Sequence, residues 1–545
     1  MNTFQISGNL IDVLQQEIYP ATLHIVDGRI RRIVRNNDTT AAGYILPGFT
    51  DAHVHVESSM LIPSEFARLA VVHGTIATVS DPHEIANVMG VKGVEYMLNN
   101  GKQVPFKFSF GAPSCVPATV FETAGATVTV NDIKHLLQRD DIGYLTEMMN
   151  FPGVLHQDPD VMAKIAAAKA VNKPVDGHAP SLRGDDARRY IAAGISTDHE
   201  CFTLEEAQEK LSYGMHILIR EGSAAKNFEA LIPLLHDHPE KIMFCSDDKH
   251  PDNLEEGHIN QLVKRALAKG IDLFKVLRAA CVNPVLHYKL HNGLLRENDP
   301  ADFIVIDNTQ DFNVLATYIE GQKVAEKGRT LIPSAPCAPV NNFVCETKQP
   351  ADFRISVDGS DRIKVKVIGA LDGQLITLKQ EALLPVENGA LQGDTMQDVL
   401  KLTVVNRYRP SAPAMAFIHG FGLKQGAIAS SVAHDSHNII AVGTDDEQIC
   451  AAVNAVIAAQ GGISVAGKAG VEVLPLPVAG LMSNLDGYTI AAQYSALDKA
   501  AKALGSTLAS PFMTLSFMAL LVIPHLKLSD LGLFDGDNFS FTTID

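Results

Sequence analysis

The chain has 545 residues, which at about 100 to 200 residues per domain suggests two to four domains and excludes a small binding module. Its 45 Lys and Arg stand against 62 Asp and Glu, a formal net charge of −17 with no local basic patch, which disfavours nucleic acid and anionic membrane surfaces as partners. With 46% hydrophobic and 20% charged residues, the composition excludes disorder and reads as a soluble globular protein.

The first residues, MNTFQISGNLIDVLQQEIYP, lack a basic stretch followed by an apolar core, so no secretory or transit signal is read and a cytoplasmic location is expected. The longest apolar stretch, Phe512 to Pro524, is too short and interrupted to span a bilayer and suits a buried core segment. The seven Cys are scattered without a CxxC pair, which argues against disulfides and thiolate zinc sites.

Residues 1–45 read as short strands, with ATLHIV and RIRRIV flanking an Asp27-Gly28 hairpin turn. From Ile45, eight apolar runs of strand length are each followed by a helix-length amphipathic stretch: YILPGFTDAHVH, GTIATVSDPHE, FKFSFGAPSC, GYLTEMM, PVDGHAP, GISTDHE, MHILIREG and KIMFCSDD. This is an α/β pattern that predicts a (β/α)8 TIM barrel over 46–291. Residues 292–330 return to short strands, so the barrel is expected to be inserted in a small β-domain made of 1–45 and 292–330. The Pro-rich stretch 331–343 marks a boundary, and 345–545 is expected to be a C-terminal α+β domain.

Metal-binding side chains fall at the carboxyl ends of the proposed barrel strands, the face on which barrel active sites are built. His53 and His55 are two apart on a strand, so both face one way and can share an ion. Glu147 ends strand four, His178 strand five, His199 strand six and Asp247 strand eight. Four His and two carboxylates suit two divalent ions, with Glu147 placed to bridge them. Asp51 reads as a support for strand one. For Asp81, His83 and Glu84, after strand two, a turn with a helix start and a substrate-facing role both remain open.

LPGFTDAHVH, followed by the single His of strands five and six and the Asp of strand eight, resembles the amidohydrolase superfamily over residues 1 to about 330. Its members hydrolyse C–N and related bonds with a metal-activated hydroxide. More narrowly, DAHVHVESSM, SDPHEIANVMG, GAPSCVPAT, FETAGA, DGHAPSLRG, GISTDHE and SVAHDSHNI are similar to the bacterial adenine deaminases, and this likeness runs through the third domain. Many superfamily members carry a carboxylated Lys on strand four. This strand has none and offers Glu147, which agrees with adenine deaminases and counts against dihydroorotases and hydantoinases.

The resemblance implies hydrolytic deamination of adenine to hypoxanthine and ammonia, and two divalent ions, with manganese or iron favoured and zinc a further candidate. Asp247 would bind metal and take the hydroxide proton, and Glu200 is a second candidate proton carrier. Asp248 either reads a ring nitrogen, by analogy with adenosine deaminases, or caps the next helix. Ser114, Arg220, His83 and Glu84 are candidate substrate contacts, with Arg220 paired to Glu221 as the alternative. His434, Asp435 and His437 would close the barrel mouth, hold an additional metal, or form a polar loop at a domain contact; the two His share a face only in a helix. The HxE and PCxxC signature of nucleic-acid deaminases is absent. Another amidohydrolase acting on a cyclic amide or a different aminopurine, and a non-catalytic assembly protein, are the alternatives. A homo-oligomer is the expected assembly for an enzyme of this size.

Overall fold

The computed structural model describes residues 3–36, 43–335, 337–358 and 361–545. All eight apolar runs contain strands: β1 (Phe49–Val54), β2 (Thr75–Ser80), β3 (Lys107–Ala112), β4 (Ile142–Met148), β5 (Val175–Gly177), β6 (Thr197–Asp198), β7 (His216–Arg220) and β8 (Ile242–Cys245). The first five form one parallel sheet in sequence order and the last three another. Ser196 N donates to Val175 O at 2.9 Å where the two sheets meet. At the other end Asp247 N donates to His53 O at 2.9 Å and His55 N to Asp247 O at 3.3 Å. The domain is TIM-barrel-like.

Burial on both faces explains why these strands read as continuous apolar runs; every residue of β1 and β2 is buried. Helices follow most strands, with starts set by local caps. Asp158 accepts from Val161 N at 3.0 Å and Thr203 from Glu206 N at 3.2 Å. Asp51 performs the supporting role read for it. Its carboxylate accepts from Ser246 N at 3.0 Å and from the Ser246 hydroxyl, and lies 2.8 Å from His258 Nε2, which sews β1 to β8.

The run YILPGFTDAHVH is split. Tyr44–Pro47 joins an eight-stranded sheet with the N-terminal strands and those of 303–330, while Phe49 onward enters the barrel. Gly48 sits at the break, where a Cβ would come within 2.5 Å of the Ile76 side chain. The Asp27-Gly28 turn joins antiparallel strands Glu17–Val26 and Arg29–Arg35, with φ of 48° and 76° at the two residues. The described residues of 331–343 form neither helix nor strand.

The C-terminal domain is mostly β, a ten-stranded sheet and a three-stranded one, with helices Asp446–Ala458, Gly487–Ala503 and Pro511–Phe517. The apolar stretch near Phe512 is a helix buried at every position. Among the described residues, no helix is long and apolar enough to cross a membrane. One core cluster runs from barrel residues such as Phe110 and Ile219 into Ile418 and Phe517, so the C-terminal domain packs onto the barrel.

Candidate active site

Glu147, at the end of β4, is the centre of a buried cluster. Its Oε2 lies 3.0 Å from both His178 Nδ1 and His199 Nε2, while Oε1 lies 3.6 Å from His55 Nε2 and 3.5 Å from His83 Nδ1. One carboxylate thus faces two groups of imidazoles with different oxygens. Beside it, His53 Nε2 and His55 Nε2 are 3.2 Å apart, and Asp247 Oδ1 lies 3.7 and 3.3 Å from them. The side chains meet because β1, β4, β5, β6 and β8 all end on the same face.

Arg220, on β7, is fully buried behind Asp247 and Glu200. It donates to Asp247 Oδ2 at 2.6 Å and clasps both oxygens of Glu200, one of them at 3.0 Å. Burial alone would raise the Asp247 carboxyl, but Arg220 and the neighbouring imidazoles hold it well below its ordinary value. Burial likewise opposes ionisation of Glu147, and His178 and His199 reverse the effect. Asp248 accepts from the Ser58 hydroxyl at 2.5 Å, and burial pushes its carboxyl up.

These donors fit divalent cations. Atoms each about 2.1 Å from one ion lie roughly 3 to 3.5 Å apart, close to the spacing of His53, His55 and Asp247 and of Glu147, His178 and His199. Glu147, Asp247, Glu200, Asp248, Asp81, Glu84 and Asp435 are all buried, and Arg220 is the guanidinium paired within the set. So many buried carboxylates call for added positive charge. Asp81, His83, Glu84 and Asp435 also fall into ligand-type groups at this site.

A small cavity lies over the cluster, lined by His55, Glu147, His199, Asp247 and Asp248 and by residues of the C-terminal domain. His83, Glu84, Glu200, His178, His434 and Asp435 are in its wall. His434 Nδ1 lies 2.6 Å from Glu84 Oε1, and His437 Nε2 pairs with Glu84 Oε2. Burial works against a charged His434, but Glu84 and Asp248 hold it up at about 9. The segment carrying these two His is a turn, neither helix nor strand, with His437 at φ 54°. Chain reversal brings the rings together.

Two candidates stand behind the wall. The Ser114 hydroxyl donates to Glu147 O at 2.5 Å, and Lys164 Nζ donates to Ser114 O at 2.7 Å. Arg220 pairs with Glu200 and Asp247; Glu221 pairs with Arg265 at 2.6 Å. Four wall residues carry no sequence signal of function: Met149, Leu375, Phe517 and Leu520. Apolar side chains of this kind read as core in a sequence.

Residues 44–324 match the model of the amidohydrolase family, and 374–540 match that of the adenine deaminase C-terminal domain. The chain is 58% identical to an adenine deaminase of Salinibacter ruber over 99% of its own length and 98% of the relative's. It is 50% identical to one of Methanosarcina mazei, with 98% of each chain covered, and 48% identical to one of Borreliella burgdorferi, with 99% and 100% covered. The chain belongs to the adenine deaminase family.

As an amidohydrolase of that family it is a metal-dependent hydrolase. The likeness is not confined to bacterial members, since the Methanosarcina relative is archaeal. The two matched regions lie in one chain, and the second supplies residues to the wall of the cavity in the first.

Proposed function

We propose that the cluster holds two divalent ions, manganese or iron, and converts adenine and water to hypoxanthine and ammonia. The observation that carries this reading is the pair of donor groups joined by Glu147, one with His53, His55 and Asp247 and one with His178 and His199. Bound divalent ions supply hydroxide at neutral pH by lowering the pKa of water to about 7.

The chain's own residues then handle protons and orientation. Carbon 6 of adenine is a poor electrophile and its amino group a poor leaving group. Asp247 takes the proton released as water adds to carbon 6 and delivers it to the departing nitrogen. Arg220 fixes the second Asp247 oxygen, so Oδ1, beside His53 and His55, is the one that faces the reaction. Glu200, anchored by Arg220 and 3.5 Å from His199 Nε2, is the second proton carrier. Asp248, held by Ser58, faces the ring nitrogens from the opposite wall. His83 and Glu84 complete the wall on the β2 side.

On the same reading, 46–291 is the (β/α)8 barrel inserted in a β-domain of 1–45 and 292–330, and 345–545 covers its mouth. The hydrogen bonds between Asp247 and the His53 to His55 backbone, and the sheet shared by both ends, support it. Ammonia release from adenine, adenosine, guanine and cytosine, and ring opening of dihydroorotate followed beside it, test the reaction. Turnover of adenine alone is expected, and turnover of dihydroorotate in its place would overturn the assignment.

A further inference from the structure

Beside His434 and Asp435, the C-terminal domain lines the cavity with apolar side chains. Phe517, Leu375 and Leu520 come from the C-terminal domain and Met149 from the end of β4; all four are buried, at 5% exposure or less. The Phe517 ring lies 5.1 Å from that of His434, tilted 30° to it. A planar heteroaromatic base has apolar faces and a polar edge, so an aromatic ring opposite the cation-binding groups offers what its face requires.

This roof is tied together as one block. Lys527, fully buried, donates from Nζ to Leu375 O at 2.6 Å and to Phe517 O at 2.8 Å. The Thr377 hydroxyl donates to Leu526 O at 2.8 Å and accepts from His525 N and Leu526 N, each at 3.1 Å. Leu528 N donates to Met518 O at 3.0 Å, and His434 N to Ser516 O at 3.2 Å. Three separate stretches, 375–377, 516–520 and 524–528, are thus held in one arrangement over the barrel. A buried ammonium spent on two main-chain carbonyls is costly, and the two carbonyls it joins belong to wall residues.

We propose that Phe517, with Leu375 and Leu520, is the platform on which the base lies, and that Lys527 is a positioning residue that holds the platform in place. The C-terminal domain then determines substrate binding, and the barrel the chemistry. This rests on the deaminase reading above, so wild-type turnover of adenine is measured beside each variant.

In the metal-loaded protein, Phe517→Ala is expected to raise KM for adenine about tenfold or more, with kcat within about threefold and metal content per chain unchanged. Phe517→Tyr should restore KM, because its ring presents the same face. Lys527→Met should raise KM and leave metal content intact, as a displaced platform would. If Phe517→Ala fails to fold, Phe517→Leu keeps the apolar volume without the ring and should show the same KM rise. Wild-type KM in folded Phe517→Ala or Phe517→Leu would overturn the platform assignment, as would a loss confined to kcat. Absence of adenine turnover in the metal-loaded wild type would instead sink the deaminase reading itself.

Discussion

His434 Nδ1 lies 2.6 Å from Glu84 Oε1, although 350 residues separate the two in sequence. Glu84 starts the helix after β2, and His434 sits on a turn of the C-terminal domain. With His437 on the other carboxylate oxygen, one buried Glu receives both imidazoles and locks the covering domain to the barrel mouth. Of the roles that the sequence allows for this motif, a lid, an additional metal site or a polar loop at a domain contact, the pairing supports the contact between the two domains.

Replacing Glu84 by Gln should therefore loosen the roof. An amide has one acceptor oxygen for two imidazoles, so one of them loses its partner in a buried site. A loss of about 1 to 3 kcal/mol in chemical denaturation is expected, together with a higher KM for adenine. Unchanged stability would show that the clasp contributes nothing.

Glu147→Ala should lose metal and activity together while the barrel still folds, because opposite oxygens of this carboxylate face two groups of donors. Metal analysis and circular dichroism of the variant check this. Two ions per chain retained in the variant would refute the bridging assignment.

Lys210 supports β6 from behind. Its Nζ donates to Asp198 Oδ2 at 2.5 Å, Glu206 Oε1 at 2.7 Å and Ala179 O at 2.7 Å, while Asp198 Oδ1 accepts from Glu200 N at 2.9 Å. Lys210→Ala would leave a buried carboxylate without its counter-charge, a cost of about 3 to 5 kcal/mol. Activity should fall as well, since the backbone carrying His199 and Glu200 is set by Asp198. A melting temperature within a degree or two of the wild type would contradict this role.

Burial lowers the Lys527 ammonium to about 7 from its ordinary value near 10.5. Between those two pH values the unfolded chain holds a proton that the folded chain has released, so unfolding free energy rises with pH across that window. Below about pH 7 both states are charged and the contribution is flat. The stability of wild type minus that of Lys527→Met should thus climb by up to about 4 kcal/mol between pH 7 and 10. A difference that stays level or falls over this range would show that the buried ammonium keeps its proton.

The barrel-like domain was legible because its eight strands interrupt helical periodicity at regular intervals, and the candidate ligands because His53, His55, Glu147, His178, His199 and Asp247 are polar residues at the ends of apolar runs. The roof was not. Leu375, Phe517 and Leu520 are apolar residues on segments that also pack into the core, and nothing local separates a cavity wall from a core position. Ser114 and Arg220 read as substrate contacts in the sequence, but neither lines the cavity: the first turns to the Glu147 main chain and the second to Glu200 and Asp247. Nor does periodicity describe the turn of His434 and His437, where a residue at positive φ redirects the chain.

The central claim is that one carboxylate and five further ligands hold two ions that deaminate adenine. Titrating metal-free protein with manganese or ferrous iron, while following ammonia release from adenine, tests it most directly. Activity is expected to rise with added metal and to break at two equivalents per chain. A break at one equivalent would contradict the bridging role of Glu147, and no ammonia at any metal content would contradict the reaction.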